Sequence, residues 1–204
     1  MRTVAVIAGL AWVVTLLSGC VNVREHVSPK MRRLGADAAP PSLEAEQALV
    51  IFMRPSVYGY EGQSSVFDLY PDGDQFIGIV SVLTKVAYPT LPGEHMFMVI
   101  SENADFLRAN LKPGKTYYVL VTPRFGWAKP RFSLAPVRKE QLGSAEFATW
   151  NQATEFIANT DESLEWAQEN WASIEDKKVD YMRKWDAKPQ AERDQQTLNP
   201  NDYQ

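Results

Sequence analysis

Two histidines, His26 and His95, and a single cysteine, Cys20, are the only imidazoles and thiol in this chain of 204 residues. A zinc site needs three or four N, S or O ligands in a rigid frame. No His-x-x-x-His occurs, so His95 reads as an isolated turn residue and no metal is expected. Asp68, Asp72 and Asp74 have a spacing like that of a calcium loop. The twelve-residue pattern with its terminal Glu is missing, and a hairpin turn is expected in its place. Ser56, Ser64 and Ser65 lack the Gly-x-Ser-x-Gly elbow that exposes a nucleophile. Any Ser-His-Asp site would have to use His95, and nothing in the sequence points there. Carboxylates are numerous, so a glycosidase-type pair could meet in space, although no spacing selects one. The expectation is a chain with no catalytic residues and no cofactor, and so not an enzyme.

Binding chemistry is better represented. Tyr58, Tyr60, Phe125 and Trp127 sit in Gly-containing loops, where aromatic faces can stack on sugars. Arg54, Arg124 and Arg131 could face anionic groups. Tyr58, Tyr60 and Trp127 are thus the candidate small-ligand residues. The competing reading, and the preferred one, has these aromatics capping the ends of a core.

Cys20 has its own logic. Arg2 opens the chain, Val4 to Leu17 form an apolar run of 14 residues, and Leu17-Ser18-Gly19-Cys20 closes it. A charged start, an apolar run and small residues make up the grammar of a secretory signal. The run is short of the roughly 20 residues of a spanning helix. The closing tetrapeptide resembles a bacterial lipobox, at which the cysteine is lipidated and the chain cut between Gly19 and Cys20. That resemblance implies a thioether-linked diacylglycerol and an N-acyl chain on Cys20. Two or three acyl chains hold a protein on a membrane, whereas one alone is marginal. Val21 stands where an Asp would favour inner-membrane retention, so the expected address is the inner leaflet of the outer membrane, facing the periplasm. The cut would remove 19 of the 204 residues and leave 185, one domain of ordinary size.

Charge narrows the partners. Lys plus Arg number 21 against 25 for Asp plus Glu, a net −4. Without a basic excess to follow phosphate, nucleic acid is not an expected partner. With Cys20 acylated, no thiol is left for a disulfide.

The elements that must position these residues follow in order. Residues 20–46 carry Pro29, Pro40, Pro41 and mixed charges without a period, and read as a flexible tether. Residues 47–138 alternate short β-prone runs with turn signals, the pattern of a sandwich. Expected strands are Ala48–Arg54, Ser65–Tyr70, Phe76–Val80, Leu83–Tyr88, Met96–Ile100, Thr116–Val121 and Arg131–Val137, while Phe106–Leu111 fits either a strand or a helical turn. Ala48–Arg54 is nearly continuous in apolar residues and suits a strand covered on both faces. Pro71-Asp72-Gly73-Asp74 suits a tight turn. Leu91-Pro92-Gly93 and Leu111-Lys112-Pro113-Gly114 suit type II turns, each with a leucine to plug the core.

From residue 143 to 187 the period becomes helical. Ser144 can cap a first helix carrying Phe147, Trp150, Ala153 and Ile157. A break at Asn159–Glu162 begins a second, with a seam of Leu164, Ala167, Trp171, Ile174, Lys178, Tyr181 and Trp185. This seam packs on its own sandwich or meets a partner, an envelope protein or a second copy. Trp171, Ile174, Tyr181 and Trp185 are its candidate partner-binding residues. Residues 188–204 are polar and are expected to be disordered.

Leu49 to Arg54-Pro55, Leu91-Pro92-Gly93-Glu94-His95 and Leu111-Lys112-Pro113-Gly114-Lys115-Thr116-Tyr117-Tyr118, taken with the lipobox, resemble a group of uncharacterised Gram-negative lipoproteins. Their domain is a small β-sandwich akin to transthyretin-like and PEGA-type modules. The resemblance covers about half the chain and implies an envelope location and a binding or structural role, with no family chemistry. The expected fold is mainly β, a small antiparallel β-sandwich followed by a C-terminal α-helical segment. The expected function is that of a lipid-anchored, non-enzymatic interaction or structural module, with small-ligand binding as the alternative and an enzyme with an unrecognised carboxylate site third.

Overall fold

A computed structural model describes residues 27–35, 37–59, 61–69, 73–124 and 130–204. The expected signal, Cys20, Tyr60, Asp72, Phe125 and Trp127 lie outside these residues. The strands are β1 (Met31–Arg33), β2 (Ala48–Arg54), β3 (Ser64–Asp68), β4 (Gln75–Val80), β5 (Thr84–Thr90), β6 (Gly93–Ile100), β7 (Ala104–Leu111), β8 (Thr116–Arg124), β9 (Arg131–Pro136), β10 (Glu155–Asn159) and β11 (Thr197–Leu198). The helices are α1 (Ala145–Ala153), α2 (Asp161–Glu169), α3 (Trp171–Asp186) and α4 (Gln190–Gln195).

Two sheets face each other, one in the order β1-β10-β5-β2-β8-β9 and the other β11-β7-β6-β3-β4. The fold is the expected mainly-β sandwich with a helical C-terminal segment. Most pairings are antiparallel, but β2 with β8, β10 with β5 and β11 with β7 are parallel, so both sheets are mixed. Every residue of β2 is buried. Val50 and Phe52 face the core between the sheets, while Leu49, Ile51 and Met53 face outward under Phe147 of α1. A layer on each side is why this strand lacks polar alternation.

Both Pro-Gly turns carry the chain from one sheet to the other, β5 to β6 and β7 to β8. Gly93 and Gly114 take φ of 115° and 67°, the left-handed region that suits glycine. Leu111 plugs the core as expected, but Leu91 is 49% exposed and does not. The undecided run at Phe106 is a strand, paired along its whole length with β6. β9 is an edge strand. The Asn103 amide donates to the Phe132 carbonyl and accepts from the Phe132 N–H, both at 3.1 Å. Pro136 adds no N–H, so this edge is blunted against further pairing.

Three expectations for the ends of the chain are corrected. Ile157 is not on a helix. Thr154 ends α1, and Phe156-Ile157 enter β10, which fills the space between β5 and β1. Residues 27–35 of the expected tether are structured, with Val27 packed on the core, Ser28 and Met31 buried, and β1 paired to β10. The expected disordered tail is α4, β11 and a docked C-terminal stretch. Leu198 is fully buried beside β7, and Arg138 reaches across to hold Asp202 and the Thr197 carbonyl.

Candidate functional site

Arg54, the last residue of β2, organises one end of the sandwich. It is fully buried. Its guanidinium donates to the carbonyls of Gly62 at 2.5 Å, Gly59 at 2.6 Å and Tyr58 at 3.1 Å. Its Cζ lies 4.7 Å from the Phe132 ring centroid. Burial lowers its pKa to about 10. Among the described residues no carboxylate pairs with it; the loop carbonyls and the aromatic face take that place. Arg54 is therefore not the anion ligand that its sequence position suggested. It gathers the carbonyls of Tyr58, Gly59 and Gly62 around itself. Gly59 completes the turn at φ 60°, and a Cβ at Gly62 would meet Pro130 Cγ at 2.9 Å. Glycine is needed at both places.

The loop so clamped presents Val57, 54% exposed, and Tyr58, 42% exposed. Of the other two arginines considered for anions, Arg131 pairs with Glu102 at 2.9 Å and Arg124 is exposed. Tyr58 thus stands at the rim, on a loop whose shape is fixed from beneath. Its expected companions Tyr60 and Trp127 fall outside the described residues.

From Ala167 onward the helical seam is covered by the chain itself, whereas Leu164 at its start is 44% exposed. Trp185 is 1% exposed, with its ring 6.0 Å from Phe106 of β7. Ile174 is buried in the same cluster, and Trp171 and Tyr181 pack against it. The lysine in the seam, Lys178, reaches Asp74 at 2.5 Å and Glu175 at 2.7 Å. Burial alone would lower its pKa, and these two carboxylates carry it above the usual value. Ile174 and Trp185 are buried, and Trp171 and Tyr181 are half-buried against them, so the seam takes the expected packing on its own sandwich in place of the partner-binding alternative. The seam is also two helices, broken at Asn170.

His95 is not an isolated turn residue. It lies in β6, buried, with Nδ1 2.8 Å from Asp68 Oδ2 and Nε2 2.8 Å from the Leu91 carbonyl. A carbonyl only accepts, so Nε2 carries a proton. A second proton must lie between Nδ1 and Asp68, because two lone pairs would repel at that distance. The pair is neutral overall and ties the Leu91–Gly93 turn to β3. Asp68 and Asp74, neighbours in the sequence, do unrelated work. Among the described residues no three His, Cys, Asp or Glu gather as a metal site. Lys85 is likewise structural. Its ammonium holds the Asn151 carbonyl at 2.8 Å and lies 4.6 Å from the Phe156 ring, and burial lowers its pKa.

At the opposite end, the docked C-terminus builds one wall of a groove. The groove has a volume of about 870 Å³, with Glu94, Arg108 and Asn110 on the sheet side and Thr197, Asn199 and Pro200 facing them. Beside it, the Tyr203 ring centroid lies 4.6 Å from the Lys115 ammonium, 5.0 Å from that of Lys139 and 5.7 Å from that of Lys112. Sequence reasoning missed this end, because it took residues 188–204 as disordered. The apolar pair Leu198 and Tyr203 in an otherwise polar stretch was the available signal. Among the described residues no helix is long and apolar enough to cross a membrane. No protein-family model matches the chain, and no curated protein does.

Proposed function

We propose that this chain is a lipid-anchored cell-envelope protein, a non-enzymatic interaction or structural module held at the periplasmic face of the outer membrane by acyl chains on Cys20. The observation that carries the reading is the 14-residue apolar run closed by Leu17-Ser18-Gly19-Cys20. The interior chemistry supports the non-enzymatic part, since His95, Asp68 and Arg54 are buried and bonded within the fold. The test is a comparison of wild type and Cys20→Ala in a Gram-negative host fed a clickable fatty acid. Wild type takes up the label and fractionates with the outer membrane, and Cys20→Ala does neither. An unlabelled wild type, or a variant that stays on the membrane, overturns the reading.

A second reading, a module for small anions or sugars, is favoured by the groove beneath the C-terminus. Arg108 is half-buried in its wall, and no carboxylate pairs with it among the described residues. Thermal shift against a panel of sugar phosphates and dicarboxylates checks it, with Arg108→Gln abolishing any shift.

A further inference from the structure

The described chain begins at Val27, and Val27 and Ser28 are already part of the body. If Cys20 carries the anchor, only residues 21–26 separate lipid from fold. Seven Cα–Cα steps span at most about 25 Å. A body of this size has a radius of gyration near 16 Å and is roughly 40 Å across. The connection is too short to bring the far end of the sandwich to the membrane.

Hydrogen bonds show which end is near. The Ser28 N–H donates to Ser81 Oγ at 3.0 Å. Ser81 leads into Leu83, whose N–H donates to the Arg54 carbonyl at 2.9 Å. The Arg54 guanidinium in turn holds the carbonyls of Tyr58 and Gly59. The chain therefore emerges at the same end of the sandwich as the clamped loop. That loop carries Val57 and Tyr58, adjacent in sequence and both exposed, an aliphatic and an amphipathic aromatic residue suited to the headgroup boundary. Exposed Arg124 ends β8 at the same end, where it can meet lipid phosphate. The Lys112–Tyr203 cluster lies at the other end, because the six steps of β2 put about 20 Å between Arg54 and Ala48, and Gln47 bonds the Gly114 turn.

We propose that the Arg54-clamped loop is a membrane-docking element that seats Val57 and Tyr58 in a phospholipid surface and fixes the orientation of the anchored body. The groove and the lysine cluster then face away from the lipid, towards the periplasm. The proposal rests on the anchored reading above. Its geometry adds what an acyl chain alone does not supply, a defined face.

The test uses the full-length precursor, processed in a Gram-negative host and reconstituted in vesicles of phosphatidylethanolamine and phosphatidylglycerol doped with nitroxide lipid. Single thiols at Val57→Cys, Tyr58→Cys and, at the far end, Glu46→Cys carry an environment-sensitive dye. A thioether-blocked Cys20 takes none. The expected result is blue-shifted emission and strong quenching at 57 and 58, with water-like, unquenched emission at 46. Protein that carries fatty acid but shows water-like emission at 57 and 58, or equal quenching at 46, overturns the docking and leaves the anchor standing. Protein without fatty acid, whose own Cys20 reacts with the dye, overturns both.

Discussion

Replacing Leu198 by Ala separates a docked C-terminus from a loose one. Leu198 is fully buried and belongs to the core between the sheets, next to Ala109 of β7 in parallel register. A Leu→Ala change in a well-packed interior costs about 2–5 kcal/mol, the spread reflecting how far the site can collapse. β11 is only two residues long and lies at a sheet edge, so some collapse is available and the lower half, about 2–3 kcal/mol, is expected. For a chain of this size each kcal/mol lowers Tm by roughly 2–4 °C. The Tm should therefore fall by about 4–12 °C, and the urea midpoint should fall with its slope unchanged. Loss of Leu198 also opens one wall of the groove, so any ligand found there should bind Leu198→Ala more weakly. A loss below about 0.5 kcal/mol, the usual scatter for a surface position, would mean that the C-terminus is not docked and would remove the groove with it.

Arg54→Met removes three charge-assisted bonds and leaves the carbonyls of Tyr58, Gly59 and Gly62 without their donor. Relief of the guanidinium's own desolvation and turning of the loop towards water offset part of that loss. The expected cost is about 2 kcal/mol, with faster proteolysis confined to residues 55–62, and an unchanged urea midpoint with an unchanged cleavage pattern would contradict the clamp. His95→Ala strands Asp68 in the core and should cost about 3–5 kcal/mol, whereas the double change to Leu at both positions should recover most of it; a double variant as unstable as the single one would show that the pair is not the cause. Burial raises the pKa of the Tyr117 and Tyr118 phenols above 10.0. Their neutral forms are favoured in the fold, so the stability they contribute is complete below that pH and falls as pH rises beyond it. Tyrosinate absorbance should show these two ionising after the exposed tyrosines, and simultaneous titration of all tyrosines in the folded protein would refute the assignment.

What the sequence disclosed depended on which physical quantity held each element. The sandwich was legible because burial writes itself into local pattern. β2 is a continuous apolar run since both its faces are covered, and Gly93 and Gly114 mark turns since their φ is positive. The α1 cap was legible for the same reason, with Ser144 accepting from the Phe147 N–H. β10 was not, because its strand identity comes from the open edge of β5, a partner some 70 positions away in the chain, which helical spacing of Phe147, Trp150 and Ile157 conceals. The two arginine-clamped ends were hidden for a related reason. Arg54 and Arg138 each gather carbonyl groups, Arg54 those of Tyr58, Gly59 and Gly62, and Arg138 those of Asp194, Gln195 and Thr197. A carbonyl belongs to every residue, so composition and period carry no trace of such a contact. Each arginine converts a polar stretch that cannot bury enough apolar surface by itself into fixed structure. One stretch is the Tyr58 loop and the other is the wall of the groove. The two surfaces proposed to meet a membrane and a ligand are thus the two that the body holds through buried or half-buried guanidinium groups, at opposite ends of one sandwich.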